Sequence, residues 1–368
     1  MKRVLLLAYL NQNLGDDLFI YTICKMFPNT RFYLFSSIDY KKRNTIRNLH
    51  VYAAKWKIID KIRRMYLKKK SDAIVFVGGS LFGELAPQRI KVTEESVHDR
   101  LMSLSCRMYN ENTPFFLLGC NFGPYITENF RLLHEKTFEK FHDVCFRDKY
   151  SYTLFTNNKN SRYAPDIVFN LYGHFSEGKR RYVLISVWGW MEPGNGANND
   201  SRNQYYKNYY RPYREKMIEI VKYYCMKGKD ICLMSFCGAE GDELACRRIV
   251  KALTNTERER VKIFSYRGNM EKAIRCLENA EMIIATRFHS MILGWLMGKV
   301  VFPISYECKT ENVIKDIGFE GNYVVMEQIE QLKMEDIEYN YKNQIVPDIS
   351  QIAEQSKEQF SVLKHYIT

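Results

Sequence analysis

Short, nearly continuous apolar runs alternate along this chain with longer stretches of helical spacing. Runs bounded by turn residues fit strands buried on both faces of a sheet. They occur at residues 4–9, 31–35, 74–77, 114–119 and 144–146, with 162–164 as a sixth candidate. A polar loop and a helix predicted over 17–26 follow the first run. The polar stretch 173–181, containing Gly178-Lys179-Arg180-Arg181, then separates this pattern from a second cycle. There, strands predicted at 182–188, 231–236, 261–264, 282–285 and 300–304 alternate with helices over 213–225, 242–253, 270–279 and 290–297. Met217, Ile220, Val221 and Tyr224 mark the apolar side of the first of those helices, and Ile349, Ile352, Phe360 and Leu363 fit one final amphipathic helix. The alternation predicts an α/β protein with two Rossmann-like domains facing a cleft. Their expected bounds are 1–175 and 180–345, followed by a C-terminal helix within 346–368.

Composition narrows this picture. The 368 residues are 46% apolar, enough for two buried cores and too much for general disorder. The apolar run at 4–10 follows Lys2-Arg3 but spans seven residues, far short of the ~20 needed to cross a bilayer. The polar segment after it has no small-residue cleavage site, so a cytoplasmic protein is expected. Fifty-five Lys/Arg against 42 Asp/Glu leave a formal charge of +13. Residues 321–368 carry four basic and eight acidic side chains, so the first 320 hold +17. Such an excess points to an anionic partner: nucleic acid, acidic lipid, or a phosphorylated or carboxylated substrate. Nothing resembles a nucleic-acid-binding motif, and no nucleic-acid partner is expected. The ten cysteines include no CxxC pair and no zinc spacing. They are expected to be buried reduced thiols, with no metal site.

The candidate chemistry lies at predicted strand ends, where open α/β sheets bind ligands. Asn13-Leu14-Gly15-Asp16-Asp17 precedes the first helix, where Gly15 permits a tight turn and Asp16 or Asp17 either caps the helix or borders a ligand. Gly78-Gly79-Ser80 lets backbone approach a ligand closely or simply turns the chain. Asn121 and Gly123 belong to the Gly-Pro turn Gly119-Cys120-Asn121-Phe122-Gly123-Pro124. Asp148 is placed to cap a helix starting near Lys149, with Arg147 reaching it or an anion, and Asp166 ends a further strand. The sharpest cluster is Thr286-Arg287-Phe288-His289-Ser290. Arg287 offers a bidentate fork to a carboxylate or phosphate, and His289 a group that exchanges protons near neutral pH. Tyr306 and Lys309 end the next strand, with Lys309 as a second cation or a solvated loop residue.

Taken in order, Asn13-x-Gly15-Asp16-Asp17, Gly78-Gly79-Ser80, Gly123-Pro124, Arg147-Asp148-x-x-Ser151, Pro165-Asp166, Asp242-Glu243, Arg287-x-His289 and Tyr306-x-x-Lys309 resemble the polysaccharide pyruvyl transferase family over about residues 1–320. The resemblance implies a fold like that of GT-B glycosyltransferases, with acceptor on the N-terminal and donor on the C-terminal domain. It also implies phosphoenolpyruvate as donor substrate without a further cofactor. The acceptor would be a sugar, often lipid-linked, in cell-envelope, capsule or exopolysaccharide synthesis at the inner membrane face. Two departures stand out: family members usually have three glycines where Gly78-Gly79-Ser80 stands, and many have an arginine where this chain reads Ser186-Val187-Trp188-Gly189-Trp190. Arg202 or Arg211 would then take that arginine's place. In this reading Arg287 and Lys309 bind the anionic donor and His289 acts as general acid or base. A nucleotide-sugar-dependent glycosyltransferase on the same scaffold is the alternative.

Two features lie outside the motifs. Lys55, Lys57, Lys61, Arg63, Arg64, Lys68, Lys69 and Lys70 crowd a segment in which Ile58, Ile62 and Met65 share a helical face. This reads either as a basic amphipathic helix for anionic lipid or as a surface helix packed on the sheet. Tyr205, Tyr206, Tyr209, Tyr210 and Tyr213 offer stacking surfaces for sugar rings or a packed helix start.

Overall fold

A computed structural model of the chain describes residues 1–10, 12–43, 45–53, 57–79, 82–84, 112–179, 181–190 and 202–368. Seven strands form a wholly parallel sheet in the order β3-β2-β1-β4-β5-β6-β7. They are β1 (Arg3–Ala8), β2 (Arg31–Ser36), β3 (Leu49–Ala53), β4 (Ala73–Val77), β5 (Phe115–Cys120), β6 (Asp143–Phe146) and β7 (Ser161–Tyr163). A second parallel sheet has the order β10-β9-β8-β11-β12-β13. It consists of β8 (Tyr182–Val187), β9 (Ile231–Ser235), β10 (Val261–Ser265), β11 (Ala280–Ala285), β12 (Val300–Ser305) and β13 (Val324–Val325). In each sheet the strand order reverses beside the first strand, at β1/β4 and at β8/β11. Beyond the carboxyl ends of such a pair, two diverging connections leave a crevice.

The strands absent from the sequence reading are β3 and β13. β3 is an edge strand whose Leu49 and Val51 are buried while His50 is exposed, so it alternates instead of running continuously apolar. β13 has two residues, too few for a periodic signal. The single final helix also needs correction. The segment forms two helices, Ser350–Ser356 and Ser361–Ile367, joined by the 3-10 turn Lys357–Phe360.

The chain divides into two compact units. Unit 1 comprises Met1–Leu10, Leu18–Asn170 and Ile352–Thr368; unit 2 comprises Asn11–Asp17 and Leu171–Gln351. The segment at the C-terminus therefore belongs with the first sheet, and a short segment near the N-terminus with the second. In unit 1, Leu5, Leu7, Ile74, Phe76 and Leu117 pack with an aromatic group that includes Phe122, Phe138 and Phe155. The Phe122 and Phe155 rings meet edge-on at 4.8 Å, an arrangement favoured by the ring quadrupoles. Gln359, on the 3-10 turn, is fully buried here. Its amide oxygen accepts from Gly119 N (3.0 Å) and its amide nitrogen donates to the Ala164 (2.6 Å) and Phe146 (3.3 Å) carbonyls. It thereby satisfies the N–H of Gly119, the residue at the register shift between Leu118 and Cys120, together with two carbonyls.

In unit 2 the long helix Arg202–Met226 lays Tyr213, Met217, Ile220, Val221 and Tyr224 against β8 and β9 side chains. Tyr210 and Tyr213 are buried and Tyr209 packs at the core edge, so these three tyrosines serve packing, not an exposed sugar-stacking face. The side chains of Tyr205 and Tyr206 lie outside the described residues. Eight of the nine described cysteines are buried and Cys308 is exposed. Burial pushes the thiols of Cys24, Cys145 and Cys246 well up, which leaves them unreactive at neutral pH. Cys106 lies outside the described residues.

Candidate active site

Asp242 organises the strand ends of unit 2. It is the first residue of the helix Asp242–Lys251 and is fully buried. Its carboxylate accepts from Gly189 N after β8 (2.9 Å) and from Phe236 N (3.1 Å) and Cys237 N (2.9 Å) after β9. Arg287, after β11, completes the set with a bidentate fork: Nε donates at 3.0 Å to one oxygen and Nη2 donates to the other. Gly189 is obligatory for this approach, because a Cβ there would strike the Gly241 carbonyl carbon and oxygen. Burial pushes the Asp242 carboxyl up, and Arg287 opposes that shift. Five donors on two oxygens favour the ionised form. Burial likewise opposes the charge on Arg287, but Asp242 and Glu240 outweigh it and hold the guanidinium protonated.

Arg287 has a second acid partner. Its Nη1 donates to Glu240, which sits on the short 3-10 turn Gly238–Glu240 and is partly exposed. Lys309 Nζ pairs with Glu307 at 2.5 Å and lies 5.8 Å from the centre of the Tyr306 ring. Tyr306 in turn stacks on the buried Trp188 at 4.9 Å. The two cations expected to bind an anion are thus both engaged by carboxylates of their own unit.

The turn carrying Arg287 and His289 is fixed from β8. Ser186 Oγ accepts from Thr286 N and Arg287 N, both at 3.1 Å, and shares a 2.5 Å hydrogen bond with Ser290 Oγ. Ser290 Oγ also donates to the Arg287 carbonyl at 2.6 Å, within the first turn of the helix Phe288–Leu296. Tyr213 OH shares a 3.1 Å bond with Thr286 Oγ1 and accepts from Trp188 N at 3.0 Å. Buried hydroxyls thus hold Thr286 N, Arg287 N, the Arg287 carbonyl and Trp188 N.

His289 is half-buried against the segment that carries Asn13 and Gly15. Asn13 bridges to Cys237, and Leu14 N donates to the Phe236 carbonyl at 3.1 Å. The Asn13 side chain accepts from Gly15 N at 2.9 Å and its carbonyl accepts from Asp17 N at 3.1 Å. Asp17 accepts a 2.5 Å bond from Tyr266, just past β10, while Asp16 is half-buried in the same turn. Gly15 packs directly on the imidazole, and a Cβ there would overlap Nδ1. This glycine is required by the His289 ring and not by a left-handed turn.

The remaining predicted residues form a separate group in unit 1. Arg147 is buried and donates to Asp166 (3.1 Å) and to Asn121 (2.5 Å). Asp166 also accepts from Val168 N at 2.9 Å; burial pushes its carboxyl up and Arg147 counters the shift. Asp148 caps the helix Lys149–Thr153 through Ser151 N (2.8 Å) and also binds Ser151 Oγ (2.9 Å). Ser151 Oγ accepts from Phe122 N at 2.8 Å, so the cap reaches the turn that holds Gly123. Gly78 has φ +112° and faces Phe19; Gly79 is also left-handed. Ser80 lies outside the described residues. Of the substitutes for the missing family arginine, Arg211 is exposed and paired with Glu215, and the Arg202 side chain is outside the described residues. Among the described residues, no group of three or more His, Cys, Asp or Glu side chains is placed to hold a metal ion.

Residues 13–307 match the model of one family, described as polysaccharide pyruvyl transferase. The chain belongs to the polysaccharide pyruvyl transferase family. No curated protein matches it. Among solved structures it is similar to HepE from Anabaena in complex with UDP and glucose, at 12% identity and TM-score 0.56, over 99% of this chain and 97% of that one. It is also similar to S. aureus MnaA bound to UDP, at 7% identity and TM-score 0.56, over 100% and 97%. UDP-GlcNAc 2-epimerase from Methanocaldococcus jannaschii aligns at 11% identity and TM-score 0.51, over 99% and 100%. These likenesses show the fold, a GT-B-like α/β fold with two parallel sheets. Asp242 carries part of the resemblance but is not among the expected site residues. Neither are Ser186, Glu240 and Tyr266, whose roles come from partners distant in sequence.

Replacing Asp242 with Asn removes one charge of a buried pair and sets an amide against three backbone N–H groups. It is expected to destabilise the protein by about 3–5 kcal/mol in urea unfolding; a loss below about 1 kcal/mol would contradict the central role of this carboxylate. Gly15→Ala is expected to lower stability by roughly 1–3 kcal/mol through overpacking on His289. Helix propensity alone predicts the opposite sign, about 1 kcal/mol of gain, so the melting temperature decides between them.

Proposed function

We propose that this chain transfers a pyruvyl group from phosphoenolpyruvate to hydroxyls of a glycan, closing a cyclic ketal and releasing phosphate. The observation that carries this reading is the family match over residues 13–307. In the reaction the donor CH₂ carbon takes a proton and its neighbour becomes electrophilic. One sugar hydroxyl adds there, the C–O bond to phosphate breaks, and a second hydroxyl closes the ketal. Of the two hydroxyl protons, one balances the new methyl group and the other leaves with phosphate. His289 is assigned as the proton donor to the enol carbon. Its ring is seated by Gly15, and its helix start is held by Ser186 and Ser290.

Arg287 is assigned to the donor carboxylate or phosphate, with Lys309 as the second cation. Asp242 keeps the guanidinium in place through Nε and Nη2, while the partly exposed Glu240 holds Nη1. The donor anion then replaces Glu240 and leaves the Asp242 fork intact. The acceptor is assigned as a lipid-linked sugar, and no cofactor is required by the chemistry. A nucleotide-sugar glycosyltransferase is the second reading, favoured by the UDP in the HepE and MnaA structures.

Phosphate release from phosphoenolpyruvate, with nitrophenyl and lipid-linked sugars as acceptors, tests the reading. Acceptor-dependent release supports it; release of nucleoside diphosphate from a nucleotide sugar favours the second. His289→Ala is expected to cut turnover ~10²–10⁴-fold with an unchanged melting temperature. Turnover within about three-fold of wild type would remove His289 from the mechanism. Glu240→Gln is expected to lower the KM for phosphoenolpyruvate roughly five-fold, because one competing charge leaves the fork. An unchanged or raised KM would count against displacement.

A further inference from the structure

The helix Lys57–Lys70 follows the edge strand β3 in unit 1 and presents an unusual outer face. Leu67 is buried, which fixes the inward side. Arg63 and Arg64 lie over the rings of Tyr52 and Phe35, at 5.5 and 4.7 Å from the ring centres, and so belong to the flank that meets the sheet. Away from it stand Ile59 (44% exposed), Ile62 (61%), Met65 (54%) and Tyr66 (56%). Residues 59, 62 and 66 recur at the three- and four-residue steps that share one helix face, with Met65 beside them. Single exposed apolar residues are ordinary, but a continuous row of four on one short helix is not. Lys61, Lys68, Lys69 and Lys70 border this row; Lys61, Lys69 and Lys70 are exposed and Lys68 partly so. Asp60 is the one acidic residue of the helix.

We infer that this face is a docking surface for an anionic lipid bilayer. Ile59, Ile62, Met65 and Tyr66 enter the headgroup boundary, and the bordering lysines run their stems along the apolar layer with their ammonium groups at lipid phosphates. Both halves of the surface are needed to specify this partner. A nucleic-acid backbone would account for the lysines but gives Ile62 and Met65 no place to leave water. An apolar protein groove would account for the row but not for the lysines along it. No helix among the described residues is long and apolar enough to cross a membrane, so the contact would be peripheral. The inference stands apart from the identity of the donor.

The test is co-sedimentation of the full chain with sucrose-loaded vesicles of phosphatidylcholine alone or with 30% phosphatidylglycerol. The parent protein is expected to partition at least ten-fold more strongly onto the anionic vesicles. In Lys61→Gln/Lys68→Gln/Lys69→Gln/Lys70→Gln, about five-fold is expected to be lost per lysine at low salt. In Ile62→Asp/Met65→Asp, which alters only exposed positions, partition is expected to fall at least ten-fold with the melting temperature unchanged. Equal partition onto both vesicle types, or parent-like binding by the lysine variant, would overturn the inference. So would full binding by the aspartate variant, or an RNA oligonucleotide bound more tightly than the vesicles and lost with the lysines alone. A soluble-acceptor assay run alongside separates this surface from the catalytic reading, because neither variant is expected to change that turnover.

Discussion

One buried carboxylate sets the geometry of unit 2. Three parallel strands end close together, and each end presents backbone N–H groups or a side chain that would otherwise be left pointing into a crevice. Asp242 answers three of those amides and one guanidinium at once. A buried charge costs several kcal/mol unless its partners are close and well directed, and here they are supplied by backbone and by a planar fork. Gly189 and the left-handed Gly241 allow the approach. The position of Arg287 is therefore a property of the sheet itself. The same strand end carries His289 two residues further on, in the turn that Ser186 and Ser290 hold.

Arg287 also illustrates how a cation can be fully neutralised and still be assigned to a ligand. Its two carboxylate partners differ in kind. Asp242 is woven into backbone amides and cannot leave without unpicking three strand ends. Glu240 sits on a short turn and is partly exposed. In the proposed reaction an incoming anion would keep the Asp242 partner of Arg287 and displace the Glu240 one.

Much of this was legible in the chain itself. The continuous apolar strands and the chemistry at their ends are local properties, so the two parallel sheets and the Arg287-x-His289 turn could be read directly. Edge strand β3 was missed because only alternate residues are buried. The tyrosine-rich stretch misled because an aromatic helix start looks alike whether it faces sugar or core; the burial of Tyr210 and Tyr213 decides it. Which acid each arginine would meet was beyond reach. Arg147 with Asp166 and Arg287 with Asp242 are 19 and 45 residues apart, and the pairing is made by strand order. In the sequence Gly15 reads as the residue of a tight turn, and its need for a hydrogen side chain appears only once His289 is in place.

Gln359 has a counterpart role in unit 1, where one amide group joins Gly119, Phe146 and Ala164. Its place in the chain gives it a temporal meaning. The sheet it completes comes before residues 171–351 in the chain, yet this side chain follows them. During synthesis the ends of β5 and β6 therefore lack this partner until the segment that follows residues 171–351 has been made. Maturation of the early half is thus timed by completion of the late half, a dependence written into the order of segments along the chain.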